Sequence, residues 1–425
     1  MELYGKILMI ASPTFLVLVL LEKLYGWYFK QEQFRAMDML SSLSSGYTNT
    51  VKDLLKIGIS LLSYEWMVNH WAVFEIKSSL LVYIIAFVAL DFAGYIGHAI
   101  NHKVNFFWNQ HLIHHSSEEF NLACALRQSI SGLINFFAIF LLPAALLGVP
   151  AQIIYFIAPI HLFAQFWYHT VHIGKLGWLE KIIVTPSHHR VHHAINPVYI
   201  DKNHGQIFIV WDKMFGTFQE ELPNVPPVYG ITTPVSTWNP IKINFQHLWS
   251  LALDAWRTDN FLDKFRIWFM PTGWRPADVV DKYPLEKIKN PYQFQKYSPK
   301  ASIWLLTWTW VQFLTTFYFL LFLFGHIASL GTPNVFFYGA YIFLMVYAYT
   351  ELMNRNPNAI YWEILKNAFG FGLIYYLGDW FGISQEYPWA VPAIMAYFVL
   401  SSIVTFVFVW FDIRSDFAPL PKMQN

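Results

Sequence analysis

Histidine residues are concentrated in one part of this chain, at spacings that suit the binding of metal ions. Of the 16 histidines, 12 lie between His98 and His193. His98 and His102 are four residues apart, so on a helix both imidazoles lie on one face and can reach the same ion. Two clusters of the pattern HxxHH follow, with an isolated histidine between them. The predicted metal ligands are His98, His102, His111, His114, His115, His169, His189, His192 and His193.

Nine imidazoles are more than a single metal ion needs. A structural zinc site uses four ligands in a tetrahedron, whereas this set suits two ions that each keep an open position. Imidazole is a neutral ligand that suits iron among other transition metals. Imidazoles packed together without a metal would be costly polar groups at a membrane boundary. The sequence therefore predicts a di-metal centre.

The remaining histidines are expected to play other parts. His172 is either an additional ligand or a neighbour of the ligands, and His188 is expected to lie behind them. Ordinary hydrogen-bonded roles are expected for His70, His161, His247 and His326.

The composition indicates an integral membrane protein. The chain of 425 residues is 56% hydrophobic and 13% charged, whereas soluble domains carry about 25% charged residues. Its net charge of +1 gives no reason to expect a nucleic-acid partner. The single cysteine, Cys124, excludes an internal disulfide framework and a cluster held by cysteine thiolates.

The apolar stretches predict several membrane-spanning helices, each of which needs roughly 20 mostly apolar residues. The predicted spans are about 4–22, 54–72, 79–97, 131–148, 152–169, 303–324, 333–350, 359–377 and 390–410. No charged residue lies between Gln128 and Gly174, and Gly148-Val149-Pro150 divides that stretch into a hairpin. The hairpin returns the chain to its starting face near His169, so all four histidine motifs can converge.

Residues 173–300 have the character of an extramembrane cap. They hold 15 of the 28 basic residues, which favours the cytoplasmic side. The predicted fold class is all-α: a polytopic membrane helical bundle with a cytoplasmic cap of helices and loops that carries the di-metal site. The predicted organisation is N-terminal membrane helices in 1–78, a catalytic domain in 79–235, an amphipathic cytoplasmic linker in 236–300 and C-terminal membrane helices in 301–425.

Three longer strings carry a family resemblance: HHSSEEFNLACALRQS, TPSHHRVHHAINPVYIDKN and GQIFIVWDKMFGTF. With the order HxxxH, HxxHH, His, HxxHH, the chain resembles the fatty acid hydroxylase / sterol desaturase superfamily over about residues 40–235. Within it, the chain is similar to the alkylglycerol monooxygenase branch and its bacterial relatives. Ala99 departs from the basic residue usual after the first histidine, and His172 and His204 also depart from that branch.

The resemblance implies an enzyme with two iron ions per chain that activates oxygen and hydroxylates or desaturates a lipid. The nine histidines match the family's motifs one by one. Glu118 falls where the branch has a functionally important acid, and Asn203 where relatives place a polar residue near the metals. Asp91 lies two turns before His98 on the same helix face and is expected to orient an imidazole. A capping or salt-bridge role is the alternative for these three residues.

The electrons must come from outside the chain, which shows neither GxGxxG nor CxxCH. The resemblance implies an external reductant, either tetrahydrobiopterin or an electron-transfer protein. Alternatives within the superfamily are a sterol desaturase or oxidase and a fatty acid hydroxylase. A membrane zinc hydrolase, which would carry HExxH, and a bis-histidine haem protein or metal transporter are alternatives from other classes. A bacterial inner membrane is favoured, with the endoplasmic reticulum as the location if the source is eukaryotic.

Overall fold

The structure, a computed structural model, describes residues 2–29, 35–135 and 137–414 and is almost entirely helical. The α-helices are α1 Glu2–Tyr28, α2 Ala36–Leu54, α3 Tyr64–Trp71, α4 Leu80–Lys103, α5 Asn105–His115, α6 Leu142–Leu146, α7 Ala151–Phe163, α8 Pro186–His192, α9 Val210–Phe215, α10 Pro240–Arg257, α11 Asp263–Arg266, α12 Ala277–Lys282, α13 Ile303–Leu330, α14 Asn334–Met353, α15 Ala359–Leu377 and α16 Ala390–Val407. Two-residue strands, β1 Ile59–Ser60 and β2 Ile134–Asn135, pair in parallel. The predicted all-α class is confirmed.

Among the described residues, five helices are long and apolar enough to cross a membrane. They are Gly5–Tyr28, Leu80–Lys103, Ile303–Leu330, Asn334–Met353 and Ala390–Ile413. The predicted helix at 359–377 forms as α15 but is not one of the five. It buries an ion pair, with Lys366 Nζ 2.6 Å from Glu363 Oε1.

The predicted span at 54–72 is wrong, because no continuous helix covers it. Helix α2 ends at Leu54, and Lys56 then adopts a left-handed φ of 52° that an α-helix cannot continue through. The chain forms the short strand β1 before α3 begins. Ser63 caps α3 by accepting a hydrogen bond from the Trp66 amide at 3.1 Å. This region is therefore a set of short elements, of which α3 packs against α6 and α7.

The hairpin between Gln128 and Gly174 is also shorter than predicted. Its first arm consists of β2, a 3-10 turn at Phe137–Leu141 and the five-residue α6. Its second arm is α7, whose 13 residues are too few for a span. The predicted spans 131–148 and 152–169 are thus wrong, although the chain does turn back at Gly148, whose φ is 78°. The hairpin still returns His169 to the other histidine clusters.

Helices α4 and α5 form the frame of the histidine site. Ser79 caps α4, and Val104 separates the two helices with extended angles of φ −123° and ψ 126°. Asn105 then anchors α5 to the cap, because its side-chain amide donates to the Ile267 and Trp274 carbonyls at 3.0 Å each. The bend turns α5 back so that its histidines face those of α4.

The C-terminal helices pack around a large apolar cluster. Tyr341, Trp380 and Phe398 are fully buried at its centre. Helix α1 packs against α13, and α2 against α13 and α14. Residues of α1, α2 and α13 line a cavity that also touches the histidine clusters, so N-terminal and C-terminal membrane helices both contribute to the surroundings of the predicted catalytic region 79–235.

Candidate metal centre

The nine predicted ligands come together from four separate segments and fall into two groups. The five-histidine group is His98, His102, His111, His115 and His192. The four-histidine group is His114, His169, His189 and His193. Within each group the candidate ligand nitrogens lie within 4.8 Å of one another. Sequence neighbours are divided between the groups because adjacent residues on a helix point about 100° apart.

The rings of the five-histidine group form a square pyramid. His98, His111, His115 and His192 make its base, with successive ring centroids 4.5, 4.7, 4.6 and 4.4 Å apart. The His111 and His192 centroids lie across the base at 6.2 Å. His102 is the apex, at 5.2, 5.0, 4.6 and 4.8 Å from the four. The five rings thus lie close to the positions of five corners of an octahedron.

The four-histidine group forms a distorted square. Successive centroids from His114 through His169, His189 and His193 lie 5.2, 4.3, 4.6 and 4.6 Å apart. The two groups are in contact, because the His115 and His193 rings stack at 4.3 Å with an interplanar angle of 22°. The site is therefore one centre with two adjoining metal-binding positions.

In the five-histidine group, the distances between ring nitrogens fit ligands that bind one metal ion at right angles to each other. The Nε2 atoms of His98 and His111 are 2.9 Å apart, and those of His102 and His115 are 3.1 Å apart. With metal–nitrogen bonds of about 2.1 Å, ligands at right angles lie about 3.0 Å apart, and tetrahedral ligands about 3.4 Å. His192 Nε2 is buried and has no hydrogen-bond partner within residues 2–29, 35–135 and 137–414. The nitrogen distances of the five-histidine group thus fit ligands at right angles better than tetrahedral zinc. In the four-histidine group, the Nε2 atom of His169 lies 2.8 Å from that of His189 and 3.4 Å from that of His114, so these distances do not select one geometry.

Four of the nine rings are oriented by backbone carbonyls that face their Nδ1 atoms. His98, His169 and His192 place Nδ1 within 2.8, 3.0 and 2.9 Å of the carbonyls of residues 204, 165 and 202. His114 Nδ1 lies 3.3 Å from the Arg127 carbonyl. A donated Nδ1–H leaves the Nε2 lone pair free, which is the arrangement that metal-bound histidines usually show.

Burial keeps the imidazoles neutral. Removal from water lowers the pKa of His114 to about 3. The same cause, reinforced by neighbouring histidines, lowers the pKa of His111, His115 and His189 well below 6.5. A neutral imidazole is the form that binds a metal.

Asp91, the residue expected to orient an imidazole, holds His161, which is outside both groups. Its fully buried carboxylate accepts from His161 Nε2 at 2.9 Å and from Trp211 Nε1 at 2.7 Å. It also accepts from the amides of Ile207 and Phe208 at 2.8 and 3.1 Å. Asp91 therefore joins α4 to α7 and to the loop before α9.

Glu118 and Asn203 lie in polar networks around the centre. Glu118 Oε2 accepts from Arg35 Nη2 at 2.9 Å and from the Tyr297 amide at 2.7 Å. Asn203, with a left-handed φ of 56°, donates to the His188 and Gln219 carbonyls at 3.1 and 2.8 Å. These contacts hold the loops that flank α5 and α8.

The structure reveals three acidic or basic residues that spacing did not single out. Asp201 Oδ1 lies 3.3 Å from His102 Nδ1, so it faces the apical ring of the five-histidine group. Arg127 is fully buried and pairs with Asp38 at 3.1 Å while its carbonyl faces His114. Asp212 accepts from the amides of His204 and Gly205 at 2.7 Å each. The spacing of the histidines gives no signal for these three residues, so the sequence analysis did not identify them.

The other histidines lie outside the two groups. His70, His247 and His326 have ring nitrogens within 2.8, 3.0 and 2.9 Å of backbone carbonyls, which agrees with their expected ordinary roles. His188 is buried behind α8, with Nδ1 3.4 Å from Thr185 Oγ1. His172 packs edge-on against Tyr25 at 5.0 Å.

A cavity of about 1140 Å³ leads to the centre. It touches His98 and His111 in one group and His114, His169 and His189 in the other. Its walls come from α1, α2, α4, α7 and α13 and are largely apolar, including Phe313 and Phe317. Ligand pockets are commonly about 300–1,000 Å³, so this one has room for a long-chain lipid beside both metal-binding positions.

Comparisons with known proteins agree with this architecture. A family model described as fatty acid hydroxylase matches residues 83–217. Alkylglycerol monooxygenase from Homo sapiens is 36% identical over 358 residues, covering 84% of this chain and 80% of the human protein. Its Xenopus tropicalis counterpart is 32% identical over 362 residues, covering 84% and 79%. Ornithine lipid hydroxylase OlsE of Rhizobium tropici is 22% identical over 200 residues, covering 47% and 58%. No solved structure matches the chain.

Proposed function

Because the chain belongs to the fatty acid hydroxylase family and is a membrane lipid monooxygenase of that superfamily, we propose that it oxidises an ether lipid of the alkylglycerol type. The observation that carries the proposal is the five-plus-four histidine centre at the end of a lipid-sized cavity. The similarity to alkylglycerol monooxygenases, over most of both chains, supports this substrate class above others.

The nine histidines would hold two iron ions per chain, one in each group. Bound iron would supply activation of oxygen and removal of a hydrogen atom from an unreactive C–H bond. The cavity touches His98 and His111 in one group and His114, His169 and His189 in the other, so a lipid in it would lie beside both groups. Buried carbonyl acceptors keep the rings in place, and the enclosing helices exclude bulk water from the reacting carbon.

The overall reaction would consume one oxygen molecule, two electrons and two protons. The carbon next to the ether oxygen gains a hydroxyl group, and the second oxygen atom leaves as water. The resulting hemiacetal breaks its C–O bond to give a fatty aldehyde and glycerol. The two electrons come from an external donor, for which we propose tetrahydrobiopterin or an electron-transfer protein.

The decisive experiment is turnover by the purified, iron-loaded protein. With 1-O-alkylglycerol, oxygen and tetrahydrobiopterin, we expect fatty aldehyde in a ratio of one per pterin oxidised, with one atom of labelled oxygen in the aldehyde before exchange. Absence of aldehyde with pterin and with reduced ferredoxin or cytochrome would refute the ether-lipid proposal.

The same assay distinguishes the alternatives within the superfamily. A hydroxy fatty acid as product would indicate a fatty acid hydroxylase, and a new double bond in a sterol would indicate a sterol desaturase. Zinc at one ion per chain, without iron and without oxygen consumption, would instead support a membrane hydrolase.

We further propose that the histidine centre faces the cytoplasm, in a bacterial inner membrane. The basic surplus of residues 173–300 supports this side. The native Cys124 is fully buried, so a cysteine introduced at the exposed position of Glu286 gives a clean probe. In intact cells an impermeant maleimide should leave this introduced cysteine unmodified until the membrane is permeabilised. Labelling in intact cells would show that the centre faces the opposite side.

A further inference from the structure

Asn101 presents a buried amide oxygen at the cavity beside the candidate metal centre. It lies on α4 between His98 and His102 and lines the cavity together with His98. Its Oδ1 is buried and has no hydrogen-bond partner among the residues that the structure describes. A buried acceptor of this kind is unfavourable unless something donates to it. An occupant of the cavity that carries a hydroxyl group would satisfy it.

Gln110 supplies a second amide to the cavity wall. It precedes His111 on α5 and lines the cavity with that histidine. Asn101 follows His98 by three residues on α4 and Gln110 directly precedes His111 on α5, and both amides line the cavity that touches these two histidines. A primary amide both donates and accepts, which suits hydroxyl groups.

The charged residues in the cavity wall are already neutralised. They are Lys52, Asp53 and Arg127. Lys52 Nζ lies 3.0 Å from Asp53 Oδ1, and Arg127 Nη2 lies 3.1 Å from Asp38 Oδ2. A phosphate or carboxylate headgroup would therefore enter without an unpaired cation to meet it, and burial of an unpaired charge is strongly unfavourable.

We propose that Asn101 and Gln110 bind the hydroxyl groups of a neutral polyol headgroup and so determine which lipids the enzyme accepts. This inference rests on the proposed function and adds the headgroup contacts. Headgroup binding at these amides leaves the ether carbon next to His98 and His111. The alkyl chain then lies along the apolar wall that includes Phe313 and Phe317.

Binding without turnover tests this assignment. Iron-loaded full-length protein, kept without oxygen and reductant, is titrated with radiolabelled 1-O-hexadecylglycerol, hexadecyl methyl ether and 1-O-hexadecylglycerol phosphate. We expect the glycerol lipid to bind about 10-fold more tightly than the other two, as one or two additional hydrogen bonds allow. Asn101→Leu and Gln110→Leu should each reduce that preference about 3- to 10-fold, with unchanged affinity for the methyl ether and unchanged iron content.

Asn49→Leu is the matched control, because Asn49 lines the cavity in the last turns of α2, away from the histidines. If Asn49→Leu removes the preference while Asn101→Leu does not, the headgroup lies at the other end and the proposal is overturned. Tighter binding of the phosphate lipid overturns it as well. Selective binding of the glycerol lipid without aldehyde formation would refute the ether-lipid activity and leave these contacts standing.

Discussion

Asp201 Oδ1 lies 3.3 Å from His102 Nδ1, which joins a loop after α8 to the apical ring of the five-histidine group. Asp201 has a left-handed φ of 56°, so the backbone there is shaped to bring this carboxylate to the ring. A carboxylate behind a metal-binding imidazole fixes its orientation and increases its basicity. Asp201 is therefore a positioning residue for the centre.

Removal of that carboxylate should weaken metal binding. Asp201→Gly accepts the left-handed backbone without strain and loses the acceptor, so we expect iron affinity to fall about 10- to 100-fold in chelator competition. Asp201→Asn keeps an acceptor and should restore most of the loss. Equal affinities for Asp201→Gly and the unmodified protein would exclude this role.

Loss of one ligand in either group should empty the corresponding position. His192→Ala and His114→Ala are each expected to lower the iron content from two to about one per chain and to abolish turnover. His70 lies in α3, outside both histidine groups, with Nδ1 2.8 Å from the Trp66 carbonyl of the same helix. His70→Ala is therefore the control and should keep both ions. Metal analysis with retained membrane insertion checks this result, and full iron content in either variant would contradict a ligand role.

Glu118→Gln should impair turnover more than iron loading. Glu118 pairs with Arg35 and accepts from the Tyr297 amide, so the variant weakens the attachment of the segment around Tyr297 beside the centre. We expect near-normal iron content, a lower kcat and faster proteolysis near residue 297. Glu286→Gln, at an exposed position, is the control. Unchanged kcat and unchanged proteolysis would remove Glu118 from this function.

The cavity should determine the longest alkyl chain that the enzyme accepts. Ala11 on α1 lines the cavity, whereas the neighbouring Ile10 is 73% exposed on the outer face of the helix. Ala11→Phe should therefore shift turnover toward shorter alkyl chains with unchanged iron content, and Ile10→Phe should leave the chain-length profile as it was. The same chain-length profile in both variants would show that the lipid binds elsewhere.

His247 should make the protein less stable in mild acid. The His247 ring is largely buried against α5, with Nε2 3.0 Å from the Asn105 carbonyl. This burial lowers the pKa of His247 from 6.5 to about 4. Between these values the unfolded chain binds a proton that the folded chain does not, so stability falls as pH decreases. From pH 7.5 to 5.5 the loss is at most about 1.4 kcal/mol.

Thermal unfolding of the unmodified protein and of His247→Gln at both pH values measures this contribution. The glutamine amide can still donate to Asn105 and does not titrate in this range. We expect the variant to lose less stability on acidification, and an identical decrease in both proteins would show that other groups cause it.

The sequence alone determined the class of protein and the residue types of the centre. Helical spacing is local, so HxxxH and HxxHH place imidazoles on common faces wherever the helices lie. The same periodicity explains why His111 and His115 share one group while His114 joins the other. Hydropathy identified the long spans but overestimated their number, because short apolar segments interrupted by turns look like spans in a hydropathy profile.

Only the tertiary structure decided what surrounds the centre. Asp201 and His102 are 99 residues apart in sequence, and Asp91 binds His161 rather than a predicted ligand. The cavity combines α1, α2 and α13 with the histidine-bearing region. Such contacts depend on how distant segments pack and on which buried polar group finds which partner. No pattern along one stretch of chain encodes that choice, because burial creates the need for a partner only once the chain has folded.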